Sequence, residues 1–324
     1  MRDAKTTPAR DANAGRGSPR AAERAPVAPP RPPHARSSSR PVVVPWRNLD
    51  RRSYRAALCG GSFRLGIALE EPFVYGRPTV VFIHGSGGSP GQFAELAGTL
   101  RGHANLGALL YDDTARLAPA AAVLREEVLS LRGPVVVVAY SIGTLLPAYI
   151  GATDREGRLR EVAAVYVNPL IGGSRYADAD SALALLGDVP GLSWLHGVKR
   201  AIQRVFFPSI VQDLTPEGDF QQAIFGWRSR APSLAARTAI LFTERPGKEP
   251  DIREDRVRKL FGRSRRELVE RMGTIVPVGS AHRTGHAAPL AYPELVLPLV
   301  VTAIETGSAN RHPPMSFPGH PPVV

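Results

Sequence analysis

Six short apolar runs, separated by helical patterns, constrain this chain more than any other feature. They are Thr79–His84 (TVVFIH), Leu106–Tyr111, Pro134–Ala139 (PVVVVA), Glu161–Val167 (EVAAVYV), Thr238–Thr243 (TAILFT) and Thr274–Val278 (TIVPV). Between them, Gly91–Arg101 carries Phe93, Leu96 and Leu100 at helical spacing, and Ala118–Leu131 and Ser141–Gly151 also read as helices. Runs that stay apolar instead of alternating belong to strands covered on both faces, and strands spaced by helices pair in parallel. The expected fold class is therefore α/β, with a mostly parallel central sheet and helices on both faces. Pro134–Ala152 is almost wholly apolar, yet it divides into strand-like and helix-like parts and includes Ser141, Gly143, Thr144, Pro147 and Tyr149. No stable membrane span is expected there. Pro147 predicts a kink or an early stop in its helix.

The ends of the chain differ from this middle. Residues 1–45 are rich in Pro, Arg, Ala and Ser without apolar periodicity and are expected to be disordered; residues 306–324 repeat that character as a flexible Pro-rich tail. The globular domain is expected over 46–305. The formal net charge of +12 invites a nucleic-acid reading, but half of it sits in residues 1–50, with ten Arg/Lys against four Asp/Glu. A solvated basic tail explains that better than a nucleic-acid site. Residues 1–45 hold no apolar stretch of secretory length. A single cysteine, Cys59, excludes an internal disulfide and fits a cytoplasmic location.

Two glycine-containing turns carry the chemistry. Ala139-Tyr140-Ser141-Ile142-Gly143 follows a buried strand and opens a helix. That is the setting of a nucleophile elbow, G-x-S-x-G, in which a sharp turn presents the serine hydroxyl and the helix start offers amide N–H groups to a developing oxyanion. Ala139 stands where the pattern has Gly. The plainer alternative is a serine that caps a helix. His84-Gly85-Ser86-Gly87-Gly88 follows an earlier strand and precedes a helix. It lacks the lysine of a phosphate-binding P-loop, and Pro90 stands at the third position of a dinucleotide fingerprint.

On these motifs the chain resembles the α/β-hydrolase superfamily, in its lipase and esterase branch. The resemblance covers roughly residues 78–305. Asn168-Pro169-Leu170-Ile171-Gly172-Gly173-Ser174 and Asp213-Leu214-Thr215-Pro216 with Phe220 resemble further segments of bacterial and eukaryotic lipases. The resemblance implies Ser141 as nucleophile and the N–H groups of Ser86 and Ile142 as oxyanion hole, with His84 in a structural role beneath the loop. It implies a histidine base after the last strand: His286, preceded by Gly285 and followed at family spacing by Pro293-Glu294, is preferred over His282. The acid should follow the strand before that. Asp251 is the choice, with Glu249, Glu244 and Asp255 as competitors.

The stretch 176–235 separates two strands and is rich in large apolar residues, among them Leu192, Trp194, Leu195, Phe206 and Phe207. It reads as a helical insertion, either packed on the core or forming a lid over an acyl-binding cleft. The resulting expectation is a serine hydrolase that cleaves a small-molecule ester, carrying an acyl chain, through a Ser-His-Asp triad and an acyl-enzyme, with no cofactor and no metal. Thioester hydrolysis and acyl transfer use the same machinery. The alternative of another class is a non-catalytic protein of this fold that binds an apolar ligand or a partner.

Overall fold

A computed structural model of the chain describes residues 42–173, 210–226, 228–243, 254–278 and 292–308. All of them belong to one compact unit, Ser38–Val324. Its centre is an eight-stranded sheet in the order β1-β2-β4-β3-β5-β6-β7-β8. The strands are β1 (Val42–Val43), β2 (Gly66–Leu69), β3 (Thr79–Ile83), β4 (Asn105–Leu110), β5 (Val135–Tyr140), β6 (Val162–Val167), β7 (Thr238–Leu241) and β8 (Thr274–Val276). β2 runs antiparallel to β4; all other neighbours are parallel. Every residue of β3, β4, β5 and β6 is buried. That is the reason their sequences read as unbroken apolar runs.

The two faces of the pleat take separate helical layers. Val81, Ile83, Val137, Ala139 and Tyr166 point to one face. There α3 (Leu117–Ser130), α4 (Leu145–Thr153), α6 (Asp219–Phe225), α7 (Glu254–Phe261) and α8 (Arg265–Met272) bury Leu124, Leu146, Phe220, Phe261 and Leu268. Val80, Phe82, Val138 and Val165 point to the other face. They meet Tyr54 of α1 (Arg51–Cys59), Leu96 of α2 (Ala94–Leu100) and Val300 of the final helix, Pro293–Ser308. The expected fold class is the one observed.

The structure departs from the sequence reading in several places. Val42 and Val43, assigned above to the disordered tail, pair with Ala68 and Leu69 of β2. The helix after Ser141 does not stop at Pro147. A 3-10 turn, Ser141–Thr144, leads into α4, so the proline falls in the first α-helical turn, where no intrahelical acceptor awaits its missing N–H. The C-terminal part of the insertion packs on the core: Phe220, Ile224 and Phe225 are buried, and Tyr149 of α4 stacks on Phe220 at 4.3 Å. Residues 176–209 of the insertion lie outside the described residues, as do 1–41 of the expected N-terminal tail and 309–324 of the expected C-terminal tail, whose first residues, 306–308, instead continue the final helix.

A short helix, α5 (Ile210–Leu214), delivers Asp213 to the start of α3. Its buried carboxylate accepts from the Leu117 backbone N–H at 2.5 Å and from Arg116 Nε at 2.8 Å, satisfying the start of α3. The backbone there also abuts the other end of the insertion. Gly173 has φ 106°, and a Cβ on it would lie 2.7 Å from Leu214 O and 3.0 Å from Pro216 Cγ. Among the described residues, no helix is long and apolar enough to cross a membrane.

Candidate active site

β5 ends at Tyr140, and the chain turns sharply at Ser141, which has φ 52°. A non-glycine residue in the left-handed region costs on the order of 1–3 kcal/mol and persists only where its surroundings impose it. Here they do. A Cβ at Gly143 would lie 2.9 Å from Ile83 O and closer still to His84 O, so the turn is pressed against the end of β3. A Cβ at Gly85 would lie 2.9 Å from Tyr140 Cδ1 and 3.0 Å from Ser141 Cβ. Thr144 Oγ1 donates to Ser141 O at 2.6 Å and closes the turn. Ala139 faces the α3 and α4 side of the sheet, opposite Ile83 and Tyr166, and its methyl group is absorbed by that core. The departure from Gly at this position therefore leaves the turn intact.

The second loop, 84–88, follows β3 and lies alongside. His84 is fully buried. Its ring stacks on Tyr111 at 4.6 Å and meets Tyr54 edge-on at 5.0 Å. Nδ1 lies 2.8 Å from Gly85 O, which can only accept, so Nδ1 carries the proton; Nε2 lies 3.1 Å from Tyr54 Oη. Burial holds the His84 pKa below the ordinary 6.5, which favours this neutral tautomer. Tyr111 Oη donates to His84 O at 2.7 Å, and the Tyr111 N–H donates to Tyr54 Oη at 2.9 Å. Burial also pushes both tyrosine hydroxyls above their ordinary value of 10, keeping them protonated as donors.

Backbone amides of this loop have defined partners. Gly87 N–H donates to the buried Asp113 carboxylate, whose other oxygen pairs with Arg55 Nη2 at 2.5 Å. Gly88 N–H donates to Gly85 O at 3.1 Å. Ser86, between them, is exposed, and Ile142 is the second residue of its 3-10 turn, where no carbonyl of that turn stands behind its N–H.

Further along the same edge, Asn168 follows β6 with φ 46°. Its side-chain amide donates to Thr243 Oγ1, and its Oδ1 accepts from the Thr243 N–H, both at 2.8 Å. This clamp fixes the point at which the chain leaves β7. Because β3, β5, β6, β7 and β8 are mutually parallel, the segments following them all depart from one edge of the sheet.

Of the residues expected at the site, Ser141, Ile142 and Ser86 are thus brought onto adjoining turns. Asp251, Glu249, Glu244, His286 and His282 lie outside the described residues. Asp255 is exposed in the first turn of α7. The final helix does begin at Pro293-Glu294. Sequence reasoning missed the scaffold of the loop: Tyr54, Tyr111, Arg55 and Asp113. One signal was available, the polar Asp112-Asp113-Thr114 directly after an apolar strand, where Asp112 Oδ1 accepts from the Thr114 N–H at 2.9 Å.

The sequence of residues 80–299 matches the family model of the alpha/beta hydrolase family. The chain belongs to that family. No curated protein matches it. Among solved structures, it is similar to a monoacylglycerol lipase from Paleococcus ferrophilus, with 15% identity and TM-score 0.45. The monoacylglycerol lipase alignment covers 74% of this chain and 100% of that chain. It is also similar to the type II thioesterase BorB from the borrelidin biosynthetic cluster, at 14% identity and TM-score 0.43, covering 75% of this chain and 97% of that one. A loop variant of the haloalkane dehalogenase DbeA from Bradyrhizobium elkanii shows 14% identity and TM-score 0.46, covering 77% of this chain and 100% of that one.

Proposed function

We propose that the protein is a serine hydrolase acting on carboxylic esters of small molecules, with Ser141 as nucleophile. The observation that carries this reading is the left-handed backbone of Ser141 at the carboxyl end of a central strand, wedged between Gly85 and Gly143. A serine that only capped a helix would adopt an extended backbone, at no such expense. In this reading His286 takes the Ser141 proton as Ser141 attacks the carbonyl, and Asp251 orients His286 and balances its charge. The N–H groups of Ser86 and Ile142 hold the oxyanion, and water then releases the acyl group. The parallel run β5-β6-β7-β8 supports the assignment, because the chain segments holding Asp251 and His286 leave the sheet at the same edge as Ser141. Thioesters fall within the reach of the same groups. The exposed, unpaired thiol of Cys59 fits a reducing, cytoplasmic setting.

The test is labelling with a fluorophosphonate probe together with turnover of a chain-length series of p-nitrophenyl esters. Labelling and turnover in the parent, both lost in Ser141→Ala, are expected. A parent that neither labels nor turns over any ester, with its fold intact, refutes the hydrolase reading and favours a ligand-binding role.

A further inference from the structure

The geometry points to Arg51 as a specificity residue that receives an anionic group, a carboxylate or a phosphate, carried by the substrate away from its scissile bond. The inference rests on Ser141 being the nucleophile.

Arg51 opens α1, whose start is capped by Asp50 accepting from the Ser53 N–H at 2.7 Å. Arg51 and Arg55 stand four residues apart and share a face of the helix. Arg55 is committed: it pairs with Asp113 at 2.5 Å and with Asp112 at 3.5 Å, and Asp113 in turn holds the Gly87 N–H. Arg51 has no carboxylate partner among the described residues, and it is exposed. Its guanidinium lies over Gly87: Nη2, Cζ and Nε are 3.2, 3.4 and 3.8 Å from where a Cβ on that residue would sit. The absence of a side chain at Gly87, with φ 67°, lets the planar group approach the loop backbone.

Two residues back, Gly85 touches Ser141, with its Cβ position 3.0 Å from Ser141 Cβ. The unpaired cation and the nucleophile therefore flank one short stretch of glycine loop. Each residue spans at most about 3.6 Å, so the two stand at most about 15 Å apart. A substrate of medium acyl-chain length reaches across that span. A guanidinium presents a rigid fork that matches carboxylate and phosphate oxygens, and it gains most where no protein carboxylate competes.

The experiment measures kcat/KM for two matched pairs. The acyl-side pair is the p-nitrophenyl hemiester of suberic acid and its methyl-capped counterpart. The alcohol-side pair is a 1-acylglycerol 3-phosphate and the corresponding 1-acylglycerol. The parent is expected to prefer the anionic member at least tenfold in one pair, and which pair identifies where the charge resides. Arg51→Gln should lower that ratio at least tenfold, Arg51→Lys should retain part of it, and Arg51→Glu should invert it. A parent that prefers the neutral member of both pairs overturns the inference, as does Arg51→Gln with the ratio unchanged while Ser141 still labels with fluorophosphonate. Absence of both turnover and labelling in the parent overturns the hydrolase reading and this inference with it.

Discussion

Replacing Ser141 by glycine and by alanine separates the chemistry of the turn from its strain. Both changes delete the same hydroxyl, so whatever that group contributes to stability cancels between the two variants. They differ in the backbone. Alanine keeps a Cβ at φ 52°, whereas glycine occupies that region freely. For an L-residue the left-handed conformation costs roughly 1–2 kcal/mol. Against its relief stands the greater freedom of glycine in the unfolded chain, worth roughly 0.5–1 kcal/mol. The glycine variant should therefore be the more stable of the two by about 1 kcal/mol, or about 2–4 °C in melting temperature for a domain of this size. Calorimetry or far-UV circular dichroism on the two purified variants measures the difference, and neither should label with fluorophosphonate. A glycine variant that melts at or below the alanine variant refutes the claim that the turn is held under backbone strain.

Three further outcomes are expected. His286→Ala should reduce ester turnover nearly as far as Ser141→Ala, by about 10³-fold or more, with the double variant scarcely worse than either; a dead His282→Ala beside an active His286→Ala moves the base to His282. Asp213→Ala leaves the buried Leu117 N–H without its acceptor and should cost about 2–3 kcal/mol in urea unfolding, with Asp213→Asn recovering part; a loss under 0.5 kcal/mol refutes the capping role. His84 is held neutral in the fold by burial, so below its ordinary value of 6.5 the unfolded chain binds the extra proton and stability falls as the pH drops from 7 toward 5; in His84→Gln that part of the pH slope should disappear, and an unchanged slope assigns the loss to other groups.

The strands were legible because burial on both faces leaves them unbroken Val/Ile runs, and Val135–Tyr140 followed by Ser141-Ile142-Gly143 announced its turn through small residues. What escaped the sequence reading has physical reasons. β2 is four residues long, and its Gly66 owes its place to the Glu127 carboxylate, which accepts from the Ile67 N–H; nothing local signals that contact. α1, with the sequence RRSYRAALC, fully buries only Tyr54, so its apolar stripe is nearly invisible although that tyrosine anchors the loop beneath Ser86. The kink expected at Pro147 failed because the 3-10 turn before it moved the start of the α-helix four residues downstream of Ser141. Asp251 and His286 rest on family resemblance, to which the parallel β7 and β8 add only the sheet edge from which their segments depart.

Gly173 and the Leu214–Pro216 turn touch, so the chain returns, after residue 209, to the place it left at 174. Asp213 fastens that return point to α3 through Leu117 and Arg116. The described residues on either side of the intervening segment thus meet at one place. Doubling the length of such a closed loop costs only about 0.6 kcal/mol in closure entropy. A change in the number of residues between Gly173 and Ile210 is therefore expected to cost little through chain closure alone, because the described residues on either side already meet.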